Sequence, residues 1–277
     1  SGQLHLSDQV NLSDYALELT TDSSLSNVAF DEKSYSVQDL LTATLVASSN
    51  SAAIALAEQV AGSEPNFVTQ MRDQLSRWGI DSAKIFNASG LPNEVLKDHR
   101  YPGSALEEEN ALSAQDVAVV VLHLLEDFPE VLDITKQAEV AFAGTILKSF
   151  NRLLPGMANG RTGVDGLKTG TTEMAGHCLA VTSIENGMRV ITVILNADGS
   201  DQNQDTRFEQ ANRLLDYVDR TYHRRKILKK GRLVSQRLLP VQDGQAKELP
   251  VFVAEDVTVI LGRGERVPKP EQFRISD

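Results

Sequence analysis

Val164-Asp165-Gly166-Leu167-Lys168-Thr169-Gly170-Thr171-Thr172 is the stretch on which the fold turns. Lysine, hydroxyls and glycine stand together where a strand opens. Lys168 supplies positive charge, and Thr169 and Thr171 supply hydroxyl donors. Gly170 has no side chain, so a ligand can lie against the backbone. Such a set suits one task, holding a substrate carboxylate beside a reacting carbonyl. The competing reading is an exposed strand start with a lysine for solubility. Just downstream, Leu179 to Leu195 reads as a β-hairpin with its turn at Glu185-Asn186-Gly187 and a buried strand from Arg189 to Leu195. Residues Gly166–Thr172 are then a third strand beside it.

Upstream the pattern is helical. Ser36, with Asp39 three residues on, caps a run through Leu40, Leu41, Leu45 and Val46. Ser48-Ser49-Asn50 interrupts it, and Ser51 to Ala57 resumes a helix that stops near Gly62. Ser63-Glu64-Pro65 opens the next helix, with Phe67, Met71, Leu75 and Trp78 on one face and Gly79 as its stop. Ile85-Phe86 is predicted to be a short strand before an Asn87–Leu91 turn, and residues 92–110 a long surface loop. Ser113 and Asp116 cap a helix through Leu125. Residues 1–35 are predicted to be loops and short strands.

Downstream, a last helix spans about Asp205 to Tyr222, with Phe208, Ala211, Leu214, Leu215 and Val218 on one face. A basic run then begins (Arg224, Arg225, Lys226, Lys229, Lys230, Arg232), followed by the β-like runs 248–253 and 257–260. Helices followed by a hairpin-rich sheet indicate an α+β fold with an antiparallel sheet. The division expected is residues 1–222 as one domain and 223–277 as a small β-rich module, incomplete at its end.

With 277 residues and a net charge of −11, the chain is acidic overall. That argues against nonspecific nucleic-acid binding and against a polybasic membrane dock; the basic run reads as a solvated strand between domains. Cys178 is the single cysteine and the five histidines are scattered, so neither a disulfide framework nor a metal centre is expected. No cofactor is implied. No apolar run approaches the length of a spanning helix. Ser1-Gly2-Gln3-Leu4-His5-Leu6 has neither a basic nor an apolar leader region, and the chain is expected to be processed or excerpted.

Ser48-Ser49-Asn50 fits a Ser-x-Asn pattern, which chance supplies about once per chain. Taken alone, a serine capping the second helix is the favoured reading. Its place between two apolar helical runs gives it weight, since buried polar groups there need partners or line a cleft. Paired with Lys168-Thr169-Gly170, it points to acyl transfer.

In these motifs the chain resembles the low-molecular-weight penicillin-binding proteins, the serine D-alanyl-D-alanine carboxypeptidases. Residues Ala47–Glu58 are similar to that family's second motif in its helix, Asn87–Leu91 to a turn the family carries, and Val164–Thr172 to its third motif. The resemblance covers about residues 1–222 and, more weakly, the β-rich tail. It implies a β-lactamase/transpeptidase-like α+β domain. It makes Ser48 a proton-relay group and Asn50 a hydrogen-bonding partner of the substrate backbone. Lys168 keeps the site positive and orients the serine. Thr169, Gly170 and Thr171 line the site of a terminal carboxylate. Arg207 is similar to a family arginine near that carboxylate; a surface arginine at a helix start is the equal alternative. The implied ligands are peptidoglycan pentapeptides ending in D-Ala-D-Ala and β-lactam antibiotics. The implied location is extracytoplasmic, the cell wall or the outer face of the cytoplasmic membrane of a Gram-positive cell, with membrane anchoring only through segments not in this sequence.

One departure is large. The family nucleophile lies in Ser-x-x-Lys, where the lysine one helical turn on can take the serine proton. No serine here has lysine at the third following position. Three readings follow. One is a carboxypeptidase whose nucleophile helix is absent from these residues, so that the domain is incomplete at its N-terminal side. The second is a non-catalytic wall-binding or scaffolding homologue. The third is a class A β-lactamase, disfavoured because no Glu-x-x-x-Asn lies between the two motifs.

Overall fold

Serines start most of the helices. In the computed structural model, which describes residues 4–199, 202–233, 238–240 and 245–267, Ser36, Ser49, Ser63 and Ser113 each accept a hydrogen bond from a backbone N–H in the first turn of the helix that follows. These helices are α2 (Val37–Val46), α3 (Asn50–Ala61), α4 (Glu64–Arg77) and α6 (Ala114–Asp127). Only Ser113 and Asp116 complete the reciprocal capping box. The Asp39 carboxylate instead accepts from the Ser36 hydroxyl at 2.6 Å. Gly62 ends α3 with φ +76°, a left-handed turn that glycine adopts without strain.

Residues 1–35 hold more helix than their polarity suggests. Strand β1 (Gln9–Asn11) pairs antiparallel with β2 (Ser34–Ser36). Between them lies α1 (Asp14–Glu18), capped by Ser13, and a 3₁₀ turn at Leu19–Thr21. A helix of five residues is too short to show a 3.6-residue period. Val10, Tyr35, Leu40, Ala43, Val46, Ala52 and Ala55 form a core that Phe142 and Leu147 complete. These last two come from the hairpin β3 (Glu139–Phe142) and β4 (Thr145–Lys148).

Two further expectations are corrected. Ile85-Phe86 is not a strand: Lys84 makes an isolated bridge to Ala111, and the Asn110 carboxamide oxygen takes the N–H groups of Phe86 and Asn87 that a ladder would have used. Residues 92–110 are not simply loop, for they contain α5 (Asn93–Leu96) and a 3₁₀ turn. A further short helix, α7 (Val131–Thr135), follows Pro129.

The central sheet is as read. Strands β5 (Val164–Thr172), β6 (Gly176–Glu185) and β7 (Met188–Ile194) lie in that order. Asn186 (φ +49°) and Gly187 (φ +74°) turn between β6 and β7, the paired positive φ angles that suit a twisted hairpin. In the β5–β6 register Lys168 faces Ala180, Gly170 faces Cys178 and Thr171 faces His177. Gly166 is required by a neighbour: a Cβ there would lie 2.6 Å from the Thr135 hydroxyl oxygen.

Helix α8 (Thr206–Thr221) buries Phe208, Ala211 and Leu215. Leu214, expected on the same face, is exposed, because six residues bring it about 120° away from Phe208 around the axis. After it come β8 (Tyr222–Leu228), β9 (Leu239–Pro240), β10 (Glu248–Leu249) and β11 (Val257–Gly262). β8 pairs with β11, and β9 with β10. The expected 248–253 run keeps only its first two residues as strand. By internal contacts the chain divides into two compact units. One is Ser1–Ser183 with Ile191–Arg213, the other Ile184–Val190 with Leu214–Asp277.

Candidate active site

The junction between α2 and α3 is held from behind by a loop far upstream. The Ser26 carbonyl accepts from both the backbone N–H and the side-chain amide of Asn50, at 3.0 and 2.8 Å. The Asn27 side-chain oxygen accepts from the Ser51 N–H at 2.9 Å, while its amide donates to the Leu19 carbonyl. Ser49 is fully buried and caps α3. Ser48 precedes it at φ +57°, in the left-handed region that few non-glycine residues adopt. The capping reading of Ser48-Ser49-Asn50 therefore holds for Ser49, and Ser48 stands outside that cap.

Ser48 meets the sheet. The Lys168 ammonium, on β5, donates to the Ser48 hydroxyl at 2.6 Å and to the Thr169 carbonyl at 2.6 Å. Loss of water around the Lys168 ammonium, with repulsion from Arg207, pushes its pKa down to about 8. At neutral pH it remains mostly charged, a cation held with little solvent to screen it. Lys168 lies within reach of the Ser48 proton, and its charge favours an anion laid along β5.

Arg207 is brought in from the first turn of α8. One terminal nitrogen donates to the Gly170 carbonyl at 3.1 Å, the Thr171 hydroxyl at 3.0 Å and the Cys178 carbonyl at 3.3 Å. Arg152 positions the helix start by pairing with Asp205 at 2.5 Å. Two cations thus stand along the same strand, one at each end of Lys168–Thr171. A cavity of about 690 Å³ opens beside Thr171 and Thr172, lined further by Glu173, His177, Asn196 and Asp198.

Of the sequence-predicted residues, Ser48, Lys168 and Thr169 are in contact, and so are Gly170, Thr171 and Arg207. Asn50 lies two residues from Ser48, with its amide nitrogen committed to Ser26. Several supporting residues carried no motif. Thr135 donates to the Asp165 carbonyl at 3.0 Å and Asn151 to the Gly166 carbonyl at 3.2 Å, steadying the start of β5. Glu109 accepts from the Thr172 hydroxyl at 2.8 Å at its far end. Buried Glu64 accepts from the Ala88 N–H at 2.8 Å and so fixes the Asn87–Leu91 turn. Burial pushes its carboxyl up to about 7, and Glu58 adds to the shift. Glu64, at the start of α4, was visible in the sequence as part of Ser63-Glu64-Pro65; its partner was not.

Known proteins are similar to this chain in sequence and fold. A family model described as D-alanyl-D-alanine carboxypeptidase matches residues 1–199. The D-alanyl-D-alanine carboxypeptidase DacF of Bacillus subtilis is 26% identical over 270 residues, 95% of this chain and 62% of its own length. The chain therefore spans less than two thirds of that relative. A crystal structure of a peptidoglycan synthesis regulatory factor (PBP3) from Streptococcus pneumoniae superposes with a TM-score of 0.93 at 47% identity, over 98% of this chain and 74% of the other. Penicillin-binding protein D2 of Listeria monocytogenes, in an ampicillin-bound form, superposes with a TM-score of 0.62 at 27% identity, over 77% of each chain. These relatives carry the same mixed helical and antiparallel α+β fold.

Proposed function

The chain belongs to the D-alanyl-D-alanine carboxypeptidase family, and from that premise we propose that it is part of a serine-type carboxypeptidase acting on peptidoglycan stem peptides that end in D-Ala-D-Ala. Residues 1–222 form the acyl-transfer domain and 223–277 a β-rich adjunct. The observation that carries this reading is the 2.6 Å contact of Lys168 with Ser48 beside the Arg207–Thr171 bond. It supplies a proton relay and an anion site on one strand.

In this reading the terminal carboxylate of the peptide lies against Thr169, Gly170 and Thr171 and is neutralised by Arg207. Asn50 contacts the peptide backbone, and the Thr171 N–H polarises the penultimate carbonyl. A serine attacks that carbonyl, the C–N bond breaks, and D-Ala leaves with a proton relayed through Ser48 and Lys168. Water then hydrolyses the acyl-enzyme. β-Lactams enter the same site. The location is extracytoplasmic, at the wall or the outer face of the cytoplasmic membrane, and the 47% identity to the Streptococcus pneumoniae structure supports a Gram-positive source. No helix among the described residues is long and apolar enough to cross a membrane.

The attacking serine is not among these residues, since none has lysine three positions on. We place it on a Ser-x-x-Lys segment outside them. The same observation favours a second reading, a non-catalytic homologue that binds the wall. Incubating the full-length gene product with a penicillin and measuring its mass separates the two. A covalent adduct is expected; a folded protein that gains no mass is the non-catalytic homologue.

A further inference from the structure

The net charge of −11 averages two units of opposite sign. Ser1–Ser183 with Ile191–Arg213 carries 13 Lys/Arg against 28 Asp/Glu, whereas Ile184–Val190 with Leu214–Asp277 carries 14 against 10. Exposed charges feel one another over only about 8 Å at physiological ionic strength. A local patch, not the chain total, decides what the second unit attracts. The exclusion of a basic dock drawn from overall composition therefore does not apply to it.

Its cations are concentrated. Arg224, Arg225, Lys226, Lys229, Lys230 and Arg232 fall within nine residues that include no acid. All six are exposed. Among the described residues one ion pair touches the run, Lys226 with Asp256. Arg224 is steadied by neutral acceptors, the Thr258 hydroxyl and the Gly187 carbonyl. Apolar side chains protrude beside these charges. Ile260, 61% exposed, is the cross-strand partner of Arg224, and paired residues project from the same face. Phe252, 56% exposed, bridges to Leu233, the residue after Arg232.

We propose that this ribbon, β8 with β11 and the 229–233 turn, docks on an anionic phospholipid surface. A soluble polyanion rewards the cations alone and leaves Ile260 and Phe252 in water. A lipid interface rewards both, attracting Lys and Arg to the headgroups and accepting apolar side chains just beneath them. The contact needs no spanning helix and is independent of the acyl-transfer reading.

The test uses the 277-residue chain and two sets of vesicles, phosphatidylcholine alone and phosphatidylcholine mixed with phosphatidylglycerol. Co-sedimentation is expected with the second set only, falling steeply as salt is added. The triple variant R224E/K229E/R232E should lower the partition at least about 10-fold. The pair I260S/F252S should lower it several-fold while leaving the salt dependence in place. Circular dichroism checks that the variants fold; the wild-type comparison decides the matter without them. Equal partition onto both vesicle sets, or none onto either, overturns the proposal. So does dextran sulfate bound as tightly as the anionic vesicles and unaffected by I260S/F252S, which assigns the ribbon to a soluble polymer.

Discussion

Lys168 reaches Ser48 across 120 residues of sequence with a hydrogen bond of 2.6 Å. The bond joins the sheet to the α2–α3 junction and places a partly desolvated cation at the centre of the candidate site. Four outcomes follow from it and from the groups around it.

Lys168 titrates near 8 where an unstrained lysine titrates near 10.5. Between those values the unfolded chain holds more protons, so stability rises as pH climbs from 8 toward 10.5; below 8 the full cost of the buried charge is present. Lys168→Met removes that cost. Its melting temperature is expected to exceed wild type by roughly 2–5 °C at pH 7, with the gain shrinking by pH 10. Thermal unfolding at the two pH values checks this, and a Met variant less stable at pH 7 contradicts it. In a form that carries the nucleophile, the same change should abolish acylation by penicillin.

Arg207 holds the Thr171 hydroxyl and two strand carbonyls through one nitrogen. Arg207→Ala should weaken binding of a D-Ala-D-Ala peptide about 10- to 100-fold. Arg207→Lys should recover only part, because an ammonium lacks the planar fork. Equilibrium binding with the free acid and its C-terminal amide provides the measurement. An amide bound as well as the acid would remove Arg207 from carboxylate recognition.

Glu64 has the opposite sign of pH dependence. Its folded pKa of about 7 lies above the ordinary 4.5. Between these values the folded chain holds more protons, and stability is lost as pH rises through the window. Glu64→Gln keeps an acceptor for the Ala88 N–H without the charge. It should stabilise by on the order of 2 kcal/mol at pH 8 and change little near pH 4.5. Urea unfolding across that range would show a flattened profile; parallel wild-type and variant profiles would count against the assignment.

Gly166→Ala would set a methyl 2.6 Å from the Thr135 hydroxyl oxygen, at a cost of roughly 1–3 kcal/mol. Thr135→Ala forfeits the 3.0 Å bond to the Asp165 carbonyl but makes room. The double variant should therefore recover stability relative to the sum of the singles, with a coupling above about 1 kcal/mol. Additive losses would mean that the strand start adjusts elsewhere.

Legibility in the sequence followed the range of the interaction. The caps of α2, α3, α4 and α6 were readable because each is a bond between residues three apart. The β6–β7 turn was readable because Asn-Gly satisfies two positive φ angles locally. Ser48, Lys168 and Thr171 were readable through motifs and Arg207 only through the resemblance, beside an equal surface reading, and nothing local said that they would meet. Asn27, Asn110 and Asn151 were illegible for a related reason. Each is an amide whose partner lies on a distant backbone, and an isolated Asn reads equally well as a turn. The short helices α1, α5 and α7 fell below the length at which periodicity speaks.

Ser48 occupies φ +57°, where a backbone free to choose would select glycine or asparagine. The handedness of the chain reverses there, and this reversal sends one hydroxyl to the lysine while the next residue caps its own helix. The aim of the Ser48 hydroxyl is thus set by the main chain rather than by the side chain's own freedom. Neither residue that would sit there without strain carries a hydroxyl. On the proposed reading, the hydroxyl is what a serine at this position offers in return for the less favoured backbone.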